Sequence, residues 1–480
     1  MNPKVFDIRL QDGVKGREIR TQSAVETILE PLLAPYDPAL LEEVYFSGNV
    51  IGKASATRIA KFLEPAKNLK LAHFASVFSG HGQSSTGETT EALEILFDVL
   101  KEKKELANIN FSQNAIGPNV IDPVARYLEG ALSLEVLTLT DNGLGSEGSR
   151  RVVNALSRCA GKARSAGQTP KLRVLNCRHN NIYLLDTPFK LVEVNGTPNS
   201  KTPSAPTSNK KSEDASIYNP AIWYTDAKKR DYGPSNNPAD AWKAALLALD
   251  GLQELSIGDH NELKPPQMHM LANVLSTRPN ITKINVEEGT IPHGPVSDAW
   301  VKAVRGWKNL RSLNIAATTS VDDDGEEDSG PREIVRVLME RENPKLAYLK
   351  LEGLELGADF VKELADAITK ENRFPKLRTL ILEDNDIELD DDGVPEEKEE
   401  FEELMSWFEE RGGYLVFEGS QNIKDEDQLT AAVAVEEEEE EEEEKGAKPP
   451  TAAPEKPAPK SAVDKATDAL ADLLNKVHID

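Results

Sequence analysis

The polar residues that this chain repeats in register are amides. Asn49, Asn114, Asn142, Asn180 and Asn385 each stand ninth in a twelve-residue phrase: LEEVYFSGNVIG from Leu41, LANINFSQNAIG from Leu106, LEVLTLTDNGLG from Leu134, LRVLNCRHNNIY from Leu172 and LRTLILEDNDIE from Leu377. An amide donates and accepts at once, so it can tie a sharp turn to neighbouring backbone or address a polar group on a partner. Residues for independent catalysis do not gather in this way. The sequence has no GxxxxGK[ST] phosphate loop, no GxSxG nucleophile turn and no HExxH zinc helix, and its histidines are scattered. Cys159 and Cys177 lack the CxxC or Cys/His spacing of a zinc site. They are also too few for a secreted disulfide framework, so a reducing compartment is expected. No metal and no cofactor of its own is expected.

The phrase also predicts the elements that carry these amides. Its first, fourth and sixth positions are apolar, as in Leu134, Leu137 and Leu139, an alternation that suits a short strand with alternate side chains facing a core. Looser copies begin at Leu69, Leu252, Ile281, Leu310 and Leu346, and a last strand, YLVFEG, lies near Leu415. This is the leucine-rich-repeat pattern. The starts at Leu106 and Leu134 are 28 apart, and those at Leu252, Ile281 and Leu310 are 29 apart. Such a period leaves room for a helix in each coil, with the helical spacing visible in VVNALSRC and FVKELADAI. The predicted fold is α/β: a leucine-rich-repeat horseshoe of about eleven long β-α repeats, a ribonuclease-inhibitor-like solenoid with strands on the concave side and helices on the convex side.

Composition sets the outer limits. A formal charge of −26 disfavours a phosphate backbone as partner and favours a basic protein. MNPKVFDIRLQDG has no basic start leading into an apolar stretch, and eighteen apolar residues never run together, so neither a signal peptide nor a membrane span is expected. Residues 1–40 read as an N-terminal cap, 41–186 as repeats, 187–238 as a mobile insertion, and 239–427 as repeats with a C-terminal cap. Nine glutamates at 436–444 and a Pro-rich run make 428–462 a disordered tail, and 463–480 regains the spacing of a short amphipathic helix. The insertion is open to two readings, a tolerated surface loop or a docking and phosphorylation segment. DNDIELDDDG does not keep the register of a calcium loop.

Several phrases are more specific than the repeat itself: FSGNVIG at 46–52, LKLAHFASVFSG at 69–80, FSQNAIGP at 111–118, DNGLG at 141–145, LEDNDIEL at 382–389 and LADLLNKVHI at 470–479. With the acidic run, they make the chain resemble the Ran GTPase-activating proteins, in the fungal type without the animal C-terminal domain. The resemblance implies binding to the GTP form of the small GTPase Ran, with or without a Ran-binding protein, and faster hydrolysis of its GTP in nucleocytoplasmic transport. GTP and magnesium would be bound by the GTPase. The activator would order the partner's catalytic glutamine through rim loops, without a required arginine finger and without catalytic activity of its own. Neither nucleic acid nor membrane is an implied partner; the location would be cytoplasmic, with association at the nuclear pore open, and the protein a monomer.

Asn49, His81, Asn114, Asp141 and Asn142 are the rim candidates for contacting the GTPase. Two depart from the family pattern: VFSGHG puts His81 where Arg is usual, and Asp141 precedes NGLG where Asn is usual. A carboxylate only accepts, and a histidine lacks the guanidinium fork. Two readings therefore stand, an activator of Ran or a non-catalytic repeat scaffold or inhibitor that binds a basic partner without activating it.

Overall fold

A computed structural model describes residues 2–10, 16–78, 86–184, 235–318, 330–390, 393, 395–396 and 398–419. His81, most of the 187–238 segment, the acidic and Pro-rich tail and the terminal amphipathic helix lie outside the described residues. The described residues belong to one unit, Met1–Thr430.

Each repeat phrase forms a strand at its third to fifth positions, and the fourth residue points into the core. Thus Val44, Leu137, Leu255, Ile284, Leu313, Leu349 and Leu380 are fully buried. Twelve strands of three residues make one parallel sheet, in chain order except that Glu18–Ile19 and Val50–Ile51 pair separately. Equivalent positions lie opposite one another: Ile109 faces Leu137, Leu137 faces Leu175, and Ile284 faces Leu313. Eleven of the twelve strands come from the repeat phrases. The twelfth, Val5–Asp7, comes from the N-terminal segment and pairs with Glu43–Tyr45, covering the first coil's edge with another strand.

Val174–Asn176 pairs directly with Glu254–Ser256, so the long intervening segment leaves the ladder uninterrupted. The helices Gly145–Ser165, before the first of these strands, and Pro238–Ala248, before the second, pack together and bury Trp242. At the sixth phrase position the early coils carry Phe46, Phe74 and Phe111, whose rings stack at 4.9 and 5.2 Å. Phe6 extends the row at 5.0 Å from Phe46. Later coils use aliphatic residues or Cys177 there until Phe417 in the last, and burial pushes the Cys177 thiol up to about 12, leaving it inert.

Helix ends are closed by cations reaching back from the next coil. Lys103 Nζ donates to the Leu63 and Glu64 carbonyls at 2.5 and 3.0 Å, at the end of Lys53–Leu63. Arg278 does the same for Pro238–Ala248 through the Leu246 and Leu247 carbonyls, both at 2.9 Å. Positive charge at a helix C-terminus satisfies its free carbonyls and opposes the dipole. No described helix is long and apolar enough to cross a membrane.

Candidate functional site

The ninth-position amides form a buried ladder. Asn114 Oδ1 accepts from the Val77 and Phe78 backbone N–H groups, both at 2.8 Å, and its Nδ2 donates to the Phe74 and Phe111 carbonyls at 2.8 and 2.9 Å. Asn142 Oδ1 accepts from the Asn114 N–H at 2.8 Å, and Asn180 Oδ1 accepts from the Asn142 N–H at 3.0 Å. Asn49 donates to the Ile8 and Phe46 carbonyls and accepts from Arg17 at 2.9 Å. Asn49, Asn114 and Asn142 are 0, 1 and 1% exposed, and both ends of each amide are committed inside the fold. They shape the rim from beneath it.

The eighth residue of each phrase occupies a left-handed turn. Gly48, Ser76, Gln113, Asp141, His179, Asp259, Glu288, Ala317, Gly353 and Asp384 all have φ between +50° and +79°. Each non-terminal member of this row donates its N–H to the next coil, as Gln113 does to the Thr140 carbonyl at 2.8 Å and Asp141 to the Arg178 carbonyl at 3.0 Å. Asp and Asn tolerate this conformation better than most residues. The aspartate at 141 thus has a backbone reason to be there, one that an asparagine would share.

Of the five rim candidates, Asp141 is the one whose side chain reaches solvent among the described residues, with 52% exposure. It lies between the exposed Gln113 of the preceding coil and His179 of the following one, 3.9 Å from His179 Nε2. Beyond His179 the row continues into Asp259, His260 and Glu288. His179 Nδ1 is 3.5 Å from Asp259, His260 Nε2 is 3.9 Å from Asp259, and His260 Nδ1 is 3.8 Å from Glu288. Gly258 makes this approach feasible, because a Cβ there would collide with the Glu287 backbone nitrogen.

The two imidazoles were not among the sequence candidates. The signal lay in RHNN and GDHNEL, where histidine directly precedes the ladder asparagine in two consecutive coils. That relation is hidden by the 80 residues between His179 and His260, and only the parallel register reveals it.

On the strand face, His73 lies between Ser47 Oγ, which meets its Nδ1, and Asn110 Nδ2, 2.7 Å from its Nε2. Burial, and then the Arg9 guanidinium, lower it to about 4. Arg9 itself stacks 4.0 Å above the Tyr45 ring and pairs with Asp7.

The asparagine ladder, the twelve-stranded parallel sheet and the left-handed rim define a leucine-rich-repeat protein with long repeats. Over about a third of its length it is similar to curated Ran GTPase-activating proteins. It is 26% identical over 172 residues to Ran GTPase-activating protein 1 of Saccharomyces cerevisiae, covering 35% of this chain and 40% of the relative. With Ran GTPase-activating protein 1 of Xenopus laevis it shares 28% over 174 residues, covering 35% of this chain and 29% of the relative. The aligned part thus spans less than half the length of each. No family model matches. Among solved structures, the crystal structure of the Rad7 and Elc1 complex in yeast aligns with 12% identity over 75% of this chain and 72% of that one, at a TM-score of 0.36. The TLR13–ssRNA13 complex aligns with 14% identity over 72% and 40%, at 0.28. Superpositions this loose bear on no functional point.

Proposed function

We propose that this protein is a GTPase activator for Ran: it binds the GTP form of that GTPase and speeds hydrolysis without catalytic activity of its own. The partial identity to two Ran GTPase-activating proteins, on a leucine-rich-repeat fold, supports this reading. GTP and magnesium belong to the partner, and the setting is the cytoplasmic side of nuclear transport.

Phosphoryl transfer suits such a division of labour. Its barrier falls mainly through orienting the attacking water and balancing spread negative charge. An activator can therefore act by fixing a glutamine of the GTPase. The exposed rim side chains Gln113 and Asp141 stand on turns locked by the ladder, so a contact made there loses little further entropy. Gln113 can donate and accept. Asp141 accepts only, which suits the N–H₂ end of a glutamine amide and disfavours direct approach to a phosphate.

The test is single-turnover hydrolysis of GTP by Ran with increasing amounts of this protein. Acceleration that saturates is expected, on a scale of at least about 10³-fold given what partner activators supply. No acceleration when binding is complete would overturn the activator reading and leave a scaffold.

A further inference from the structure

We propose that His179, Asp259 and His260 form a binding site for one divalent transition-metal ion of the zinc class, joining the coils that begin at Leu172 and Leu252 at their rim. One ligand atom from each residue lies within 4.8 Å of the other two. Ligand atoms around a tetrahedral zinc stand roughly 3.3 Å apart, given bonds of about 2.0 Å. Small side-chain rotations therefore close the site, and the His179–Asp259 edge is already at 3.5 Å.

Both rings are arranged as metal-binding imidazoles are. His179 turns Nδ1 to Asp259 and Nε2 towards the Asp141 carboxylate, at 3.9 Å. His260 turns Nε2 to Asp259 and Nδ1 towards Glu288, at 3.8 Å. Each imidazole thus has one nitrogen facing the shared centre and the other facing a second carboxylate. That outer carboxylate fixes the tautomer and strengthens the ligand. Glu288 also accepts the His260 backbone N–H at 2.7 Å, which holds the turn carrying that ring.

The donor set selects the ion. Two imidazoles and one carboxylate suit zinc, nickel or copper, and not calcium or magnesium, which take oxygen ligands. Three carboxylates surround the rings, and Arg178 lies 3.5 Å from Asp259, so it would share that carboxylate with the metal. The rings are half exposed, leaving the fourth position to water. The three ligands sit on left-handed turns, with φ of +54°, +61° and +53°. They are thus presented by backbone that the ladder already fixes.

The experiment uses the full chain, freed of metal with a chelator and titrated with Zn²⁺ by calorimetry, beside the double variant His179→Asn/His260→Asn. Asparagine keeps the left-handed turns and removes the ring nitrogens, and circular dichroism confirms that the variant is folded. The glutamate run at 436–444 is common to both proteins, so the difference between them reports the site. We expect one ion per wild-type chain that the double variant binds at least about 100-fold more weakly. Glu288→Gln should lower affinity by about 10-fold with unchanged stoichiometry, the usual effect of losing an outer carboxylate. His293→Asn should change nothing. Identical isotherms for wild type and double variant, or an equal loss in His293→Asn, would overturn the proposal. The readout needs no GTPase, so it stands apart from the proposed activity.

Discussion

Asn142 Oδ1 accepts the backbone N–H of Asn114 at 2.8 Å, one coil away, while its Nδ2 donates to the Phe111 and Leu139 carbonyls at 3.0 and 2.9 Å. One amide thereby closes three buried backbone groups across two coils. The same relation joins Asn180 to Asn142 and Asn261 to Asn180, so the turn under the rim is specified by side chains as much as by backbone.

Replacing Asn142 by Ala strands those three groups away from water. Each buried unpaired group costs about 1–3 kcal/mol, and partial relaxation leaves a net loss of about 3 kcal/mol. Asn142→Asp should be nearly as harmful, since a carboxylate cannot donate to the two carbonyls. Asp141→Asn, one residue away and exposed, should change stability by less than about 0.5 kcal/mol. Urea midpoints of the three variants decide it. Similar midpoints for Asn142→Ala and Asp141→Asn would refute the ladder's role.

Much of this was legible in the sequence, because strand, amide and helix recur at fixed phrase positions. Leu134, Leu137 and Leu139 are buried where the alternation puts them, and eleven of the twelve sheet strands lie on the quoted phrases. Val5–Asp7 escaped notice because a single strand without a following amide leaves no repeat to compare. The site was less legible. Asn49, Asn114 and Asn142 stand out by recurrence, yet recurrence marks what the fold needs, and their amides are spent on backbone. The varying eighth position is where Asp141, His179 and Asp259 emerge, and a search for repeated residues passes over it.

Asp141 separates conformation from chemistry. Its φ of +54° suits Asp and Asn alike, so Asp141→Asn should preserve the turn while adding a donor. Equal or faster stimulation of Ran GTP hydrolysis is expected for Asp141→Asn, and slower stimulation for Asp141→Ala. A large loss in Asp141→Asn would show that the negative charge itself has a positive role. Asp141→Val should lose about 1–2 kcal/mol through backbone strain alone, which a denaturation curve separates from the kinetic effect.

His73 should make stability depend on pH. In the folded protein burial, then Arg9, hold it near 4, against 6.5 for an ordinary histidine. Between these values the unfolded chain binds the extra proton, so stability rises with pH. The contribution is fully present above about 6.5 and is lost as pH falls towards 4, at most about 3 kcal/mol. Burial also lowers His269, in the same direction. The difference between wild type and His73→Gln isolates the first ring: the variant's stability should fall less steeply between pH 6.5 and 4. Parallel profiles would contradict it.

Lys350 holds two acids across three coils. Its Nζ lies 2.7 Å from Glu287 and 2.8 Å from Glu352, and these side chains are 16, 16 and 27% exposed. Burial pulls the ammonium down, yet the charges and hydrogen bonds of the two glutamates overcome it and leave it raised. Glu287 is further fixed by Asn314 Nδ2 at 3.0 Å. Lys350→Met would leave two neighbouring carboxylates without their cation, at a cost of about 3 kcal/mol, the low end for breaking a buried pair. One signature distinguishes this from simple loss of packing. The deficit should shrink when Glu287→Gln is added to Lys350→Met, because a neutral amide needs no counter-charge. A deficit that is strictly additive with Glu287→Gln would mean that Lys350 contributes by its methylenes alone.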